Sequence, residues 1–164
     1  MVIKFDRWGI FTRRFGDYTG GDDSEPDRRG SYSRTMIPDV ALTLPSVDGG
    51  LMKVIVLDAK YRINASLNEA IASIHMYRDA LVEMEGDGVQ RIVDAAYLMS
   101  PHRPGYDPSW EASEMPGRLF HPEYRGRFRF GAVTLRPGMN MDQVRAALEA
   151  VLEDAGEASA GASA

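Results

Sequence analysis

The sequence predicts an α/β protein in which helices flank one mixed central β-sheet. Two apolar segments, 36–44 and 51–60, are separated by the turn sequence SVDGG, which indicates an antiparallel hairpin. A helical pattern then separates segment 51–60 from a third apolar segment, 91–99, as expected for parallel strands joined by a crossover helix. A second helical pattern near the end of the chain completes the layers that cover such a sheet.

Length and composition indicate one globular domain over residues 1–154, followed by a low-complexity, disordered tail over 155–164. Apolar residues make up 44% and charged residues 26% of the chain, and no apolar run approaches the length of a membrane span. The first residues lack a signal-peptide pattern and the chain has no cysteine, which predicts a cytoplasmic protein without disulfides or thiolate metal sites. A net charge of −5 argues against a general nucleic-acid coat protein. An enzyme that meets nucleic acid through a local basic patch remains compatible with it.

The first third of the chain reads as strands joined by a long connection. Residues 2–11 are typical of a strand with a bulge near Gly9, and residues 16–31, rich in Gly, Asp and Pro, predict a mobile connection. Residues 32–45 predict a second strand, in which Pro38 requires an edge position or a distortion.

A helix is predicted next, because Ser66 and Glu69 form a capping-box pattern and a buried stripe follows at helical spacing. The stripe predicts that the helix extends to Gly86 and Gly88. It consists of Leu67, Ala70, Ile71, Ile74, Tyr77, Leu81 and Met84.

The remaining elements are a strand, a long loop, a strand and a helix. Residues 91–100 predict a core strand, after which Pro101 opens a loop of roughly 25 residues, a length that usually indicates function or flexibility. Residues 128–138 predict the last strand, and 140–155 an amphipathic helix with Asn140 as its cap.

Asp58 and Lys60 close the apolar strand and, being two residues apart, point to the same face. They can form a plain ion pair, worth ~0–1 kcal/mol if exposed, or bind a phosphate. Alternatively, the aspartate holds a divalent cation while the lysine positions or deprotonates a water. The D-x-K pattern alone favours the ion pair.

Asp39 changes this balance. It lies 19 residues upstream, on the preceding strand of the hairpin, so Asp39 and Asp58 fall near the same end of adjacent strands. Two carboxylates repel at close range unless a cation lies between them. Together with the carbonyl oxygen of Ala59, they predict a site for Mg²⁺ or Mn²⁺.

The pair Pro38-Asp39 followed by Asp58-Ala59-Lys60 resembles the two signature elements of the PD-(D/E)XK nuclease superfamily. The flanking sequences DAKYR and IHMYRDAL resemble the nuclease domain of McrC-related, modification-dependent restriction proteins. The resemblance covers roughly residues 30–152 and implies a restriction-endonuclease-like fold. It also implies that Asp39 and Asp58 bind the metal, while Lys60 activates the attacking water and stabilises the charge developing on the phosphate.

The resemblance further implies a supporting polar residue on the helix after the motif. His75 would fill that place, with Asp79 fixing its tautomer and Arg78 reaching a phosphate. A solvated His–Asp pair on a helix surface is the alternative. Tyr61 and Arg62, just past the signature, are further candidates for substrate contact.

The chain departs from the superfamily pattern upstream of Asp39. Members usually carry a helix there, often with a metal-binding Glu, whereas residues 1–37 read as strand and loop, with Glu25 as the only glutamate. Glu69 matches a migrated acid in some relatives but is better explained as a cap. The expected function is a Mg²⁺-dependent DNA endonuclease of a restriction or defence system, directed by a protein partner or an additional domain. The alternatives are a catalytically incomplete nuclease-fold module for DNA binding or assembly, and a nuclease acting on RNA or branched DNA.

Overall fold

The computed structural model describes residues 9–11, 29–44, 53–61, 67–85 and 88–156, and every structural statement refers to these. Within them the chain forms eight strands and four helices. In chain order these are β1 (Gly9–Phe11), β2 (Arg29–Ser31), β3 (Val40–Leu44), β4 (Lys53–Ala59), α1 (Leu67–Ala80), β5 (Leu81–Glu85), β6 (Gly88–Arg91), β7 (Val93–Ser100), α2 (Gly117–Phe120), α3 (Pro122–Phe128), β8 (Phe130–Thr134) and α4 (Met141–Gly156).

The main sheet has five strands in the order β1-β3-β4-β7-β8. β3 pairs antiparallel with both β1 and β4, whereas β4 pairs parallel with β7, and β7 parallel with β8. The predicted hairpin and the parallel pair on either side of α1 are therefore present. The mixed sheet with helices, and with it the restriction-endonuclease-like α+β class, is confirmed.

The strands of this sheet bury both faces, because each face is covered by a different helix. α1 covers one face with Leu67, Ala70 and Ile74, and α4 covers the other with Val151 and Leu152. β4 alternates accordingly: Val54 and Val56 belong to the α1 cluster, and Ile55 and Leu57 to the α4 cluster. Asp58 thus continues the row that faces α1.

The first helix is shorter than its apolar stripe predicts, and the predicted end at Gly86 and Gly88 is wrong. α1 ends at Ala80, and Leu81–Glu85 forms β5. Strand β5 is the middle of a second, three-stranded sheet between β2 and β6. Its backbone is bonded to a strand about 50 residues earlier in the chain, a contact that local spacing cannot reveal.

The long loop after Pro101 was also predicted wrongly in part. It ends in two short helices, α2 and α3, which pack against the outer edge of β8. Gly131 of β8 allows this approach, since a Cβ there would lie 2.4 Å from the carbonyl oxygen of Leu119.

The last helix begins as predicted. The side-chain oxygen of Asn140 accepts the Gln143 N–H at 2.9 Å, and the Gln143 side chain accepts the Asn140 N–H at 3.0 Å. The helix continues through Gly156, two residues into the predicted tail. The cap at Ser66, the turn after β3, Arg62 and the rest of the tail lie outside the described residues. None of the described helices is long and apolar enough to cross a membrane.

Candidate active site

Asp58 and Lys60 lie on the same face at the carboxyl end of β4. The ammonium nitrogen of Lys60 is 2.8 Å from Oδ2 of Asp58. The aspartate side chain is only 2% exposed and the lysine side chain 35%. A carboxylate so deeply buried is costly unless paired, so this is not the solvated surface pair that D-x-K alone favours.

Asp39 reaches the same strand end from the residue before β3. Its Oδ2 accepts the backbone N–H of Ala59 at 2.7 Å. The next N–H, that of Lys60, points the other way and donates to the carbonyl of Met99 on β7. The backbone groups of Ala59 therefore face β3, the strand that Asp39 precedes.

The proline before Asp39 has a structural consequence for the Ala59 carbonyl. Leu57 pairs with Val40, so the same register extended by two residues places Ala59 opposite Pro38. Proline has no N–H to donate to that carbonyl, and the Asp39 carboxylate takes the Ala59 N–H. The backbone pairing of β3 and β4 therefore ends here, and the side chain of Asp39 replaces it. The Ala59 carbonyl receives no hydrogen bond from Pro38, so it can serve as an oxygen ligand.

Ser73 of α1 is a site residue that the sequence analysis missed. Its hydroxyl lies 2.9 Å from Oδ2 of Asp58 and 2.7 Å from the Ala70 carbonyl oxygen, and its single proton can serve either acceptor. Ser73 immediately precedes Ile74, which is fully buried against the sheet. Its position beside the buried stripe could have indicated a supporting residue. However, polar residues lie on both sides of the stripe, and the sequence does not show which side faces Asp58.

Tyr77 lies on the same flank, four residues further on. It is buried, as expected for the stripe, yet its hydroxyl donates to the carbonyl of Ile37 at 3.2 Å. Ile37 is two residues before Asp39, so this bond ties the segment carrying Asp39 to α1. Burial first, and then the negative charges of Asp58 and Asp39, raise the pKa of Tyr77 to about 12.

His75 and Arg78 lie on the opposite flank of α1. The His75 ring stacks on Phe130 of β8 at a centroid distance of 4.3 Å, and Arg78 donates to the Phe128 carbonyl at 3.2 Å. Residues 73 and 75 are about 200° apart around a helix, so Ser73 and His75 cannot face the same strand. Ser73 and Tyr77 lie on the flank of α1 that faces β3 and β4. This flank contacts Asp58 and the segment that carries Asp39.

Asp79 does not pair with His75. Its carboxylate binds Arg91 at 2.6 Å and accepts a hydrogen bond from the Tyr32 hydroxyl. The hydrogen bond from Tyr32, and to a smaller extent that from Arg91, hold the pKa of Asp79 below its usual value. His75, Arg78 and Asp79 line a shallow pocket of about 320 Å³ with Arg91, and neither Asp58 nor Lys60 contributes to it. The structure therefore separates the predicted His75 group from the carboxylates.

The remaining candidates are Tyr61 and two glutamates. Tyr61, next to Lys60, is 86% exposed. Glu69 is exposed in the first turn of α1, and Glu25 is outside the described residues. Among the described residues, no group of three or more His, Cys, Asp or Glu side chains is arranged to hold a metal. A larger cavity, of about 590 Å³, lies beside β8 and contains none of the predicted site residues.

The donor atoms at the end of β4 fit a hard cation. Asp39, Asp58 and the Ala59 carbonyl offer oxygen atoms only, which is the chemistry of a Mg²⁺ or Mn²⁺ site. Among the described residues, the hydrogen bonds and the ion pair recorded for Asp39 and Asp58 involve their Oδ2 atoms. The hydrogen bond between Asp39 and Ala59 holds the Asp39 carboxylate at the end of β4, next to Asp58.

Comparison with known proteins agrees with this arrangement. The family model of the PD-(D/E)XK nuclease superfamily matches residues 17–104, more than half of the chain, and the match includes both signature elements. Neither the curated proteins nor the solved structures that were compared gave a match. With Asp39, Asp58 and Lys60 placed at adjoining strand ends and the family model spanning them, the chain belongs to the PD-(D/E)XK nuclease superfamily.

Proposed function

We propose that this chain is a Mg²⁺- or Mn²⁺-dependent DNA endonuclease, acting in a restriction or defence system. The observation that carries the proposal is the convergence of three groups at the end of β4. Buried Asp58 lies 2.8 Å from Lys60, and Asp39 is hydrogen-bonded to the residue between them. Two carboxylates can hold a cation and a partly exposed lysine beside them can position a water, which are the tasks of metal-assisted phosphodiester hydrolysis.

In this proposal Asp39, Asp58 and the Ala59 carbonyl hold the cation. When bound, the cation supplies charge neutralisation at the phosphate and lowers the pKa of water. Lys60 is partly exposed, so its ammonium can turn from Asp58 toward the water and the phosphate oxygen while its stem stays on β4. Ser73 can keep its hydrogen bond to Asp58 as the lysine moves.

DNA is the proposed substrate, and Tyr61, Arg62, His75 and Arg78 are its proposed contacts. Tyr61 and Arg62 follow Lys60, and His75 and Arg78 lie along the other side of α1. The latter two would meet the backbone away from the cleaved bond, since they line a different pocket. We propose that a protein partner or a further domain recognises the DNA to be cut, as the resemblance to McrC-related proteins implies.

Cleavage of DNA by single-residue variants tests the proposal. Asp58→Ala and Lys60→Ala should each abolish Mn²⁺- or Mg²⁺-dependent cutting of a plasmid, while circular dichroism remains that of the wild type. A fully active variant of either kind would refute the assignment. Modified and unmodified plasmids should be compared, because the resemblance is to modification-dependent enzymes.

The alternative function is a nuclease-fold module that binds or assembles without cutting. The Asp58–Lys60 ion pair favours it, since a lysine that neutralises the aspartate competes with a cation for the same oxygen. Calorimetric titration with Mn²⁺ separates the two. A working site gives binding that Asp39→Asn and Asp58→Asn each remove, whereas a module gives none.

A further inference from the structure

Arg34 provides a positive charge beside the candidate active site that the signature elements do not include. It lies five residues before Asp39, in the irregular segment between β2 and β3. Its guanidinium is exposed and rests on α1, where Nη2 is 3.4 Å from the sulfur of Met76. Met76 directly precedes Tyr77, whose hydroxyl holds the carbonyl of Ile37.

Two contacts with α1 place Arg34 close to the segment that carries Asp39. Arg34 contacts Met76, and the next residue of the helix, Tyr77, is hydrogen-bonded to the carbonyl of Ile37. Ile37 lies three residues after Arg34 and two before Asp39. Arg34 therefore lies on the Tyr77 side of the carboxylate pair.

Arg34 also has unused hydrogen-bonding capacity. Four arginines among the described residues are bound to carboxylates, in the pairs Arg29–Glu83, Arg91–Asp79, Arg125–Asp154 and Arg129–Asp94. The side-chain contact recorded for Arg34 is with a thioether, which is a weak acceptor. Its planar fork of N–H donors is thus directed at solvent rather than committed to the fold.

A DNA strand that approaches two aspartates is repelled by them, and Lys60 is engaged with Asp58. A second positively charged side chain beside the carboxylates would offset this repulsion. We propose that Arg34 binds a phosphate of the DNA strand next to the cleaved bond, holding the backbone over the Asp39–Asp58 pair. This role rests on the proposed nuclease function and adds a substrate-contacting residue to it.

The prediction concerns both charge and geometry. Arg34→Gln removes the charge, and Arg34→Lys keeps the charge but loses the two-pronged donor. The matched control is Arg145→Gln, because Arg145 is an exposed arginine on α4, the helix that packs on the other face of the sheet. All three variants carry similar side-chain volumes and none replaces a buried residue.

The experiment measures binding of a short DNA duplex, prepared with and without base modification, in Ca²⁺ over a salt series, and cleavage of the same duplexes in Mn²⁺. For Arg34→Gln we expect the slope of log affinity against log salt to become shallower by about 1, as for one lost phosphate contact. KM should rise about tenfold, the usual effect of one lost charge-assisted hydrogen bond. Arg34→Lys should retain the slope and raise KM by less, and Arg145→Gln should match the wild type.

The outcomes separate this inference from the proposed function. If the wild type cuts DNA and Arg34→Gln equals it in salt slope and KM, Arg34 is not a phosphate contact and the nuclease function stands. If the wild type binds DNA without cutting it, the proposed activity is wrong, and the salt series still decides the role of Arg34. A wild type that neither binds nor cuts DNA overturns both. A role of Arg34 in folding alone would lower thermal stability and leave the salt slope unchanged.

Discussion

The hydroxyl of Ser73 lies 2.9 Å from Oδ2 of Asp58, the same oxygen that is 2.8 Å from Lys60. Ser73→Ala should therefore leave the fold intact and reduce kcat by about tenfold, because a buried carboxylate loses a neutral donor worth about 1 kcal/mol or more. Steady-state kinetics in Mn²⁺ measure this decrease in kcat.

The comparison variant is His75→Ala, on the other flank of the helix, which should change KM more than kcat. The reverse pattern in the two variants would contradict the placement of Ser73 at the site.

Asp39 has two separable roles, since its carboxylate accepts the Ala59 N–H and is also a proposed metal ligand. Asp39→Asn keeps a side-chain oxygen as acceptor, so the free energy of unfolding in urea should stay within about 0.5 kcal/mol of the wild type. Asp39→Ala should lose about 1 kcal/mol through the missing hydrogen bond. Both variants should lose Mn²⁺ binding by calorimetry. Retained Mn²⁺ binding in Asp39→Asn would show that this residue is structural only.

Tyr77 makes stability depend on alkaline pH. Its folded-state pKa, about 12, lies above the ordinary value of 10.0, so the fold favours the neutral phenol. This contribution is complete below pH 10 and is lost as the pH rises toward about 12. The free energy of unfolding in urea should accordingly fall more steeply between these pH values in the wild type than in Tyr77→Phe. Tyr61→Phe, at an exposed position, is the control, and equal pH slopes in wild type and Tyr77→Phe would refute the effect.

Arg125 and Asp154 form a buried ion pair that joins α3 to α4 at 2.8 Å, with side chains 9% and 13% exposed. Arg125 also donates to the carbonyl of Phe120 at 2.6 Å. Asp154→Ala should cost about 3–5 kcal/mol, because the guanidinium is left buried without its counter-ion. Urea unfolding measures the loss, with Glu153→Ala as an exposed control on the same helix.

A second variant distinguishes the lost pair from lost packing. Replacing both partners, Arg125→Met with Asp154→Leu, should recover most of the stability lost in Asp154→Ala, since no unpaired charge is then buried. A double variant as unstable as the single one would mean that the packing of α4, rather than the charge, determines the cost.

The strand pattern of the sequence was sufficient to predict which candidate residues lie together. Alternation placed Asp58 and Lys60 on one face, and the hairpin placed Asp39 beside them; both relationships are present in the structure. These are local consequences of a period of two and of a short turn. The end of α1 was wrong because β5 takes its hydrogen-bond partners from β2, which is distant in the chain.

The supporting residues depended on tertiary structure. Helical periodicity defines a buried stripe, and it assigns Ser73 and His75 to opposite flanks of that stripe. Periodicity cannot tell which flank faces β4 and which faces β8, because this depends on the order of strands in the sheet. The sequence by itself determined the strand, the paired acids and the lysine. Only the packing of α1 across β4 and β7 decided that Ser73 and Tyr77, rather than His75 and Asp79, support them.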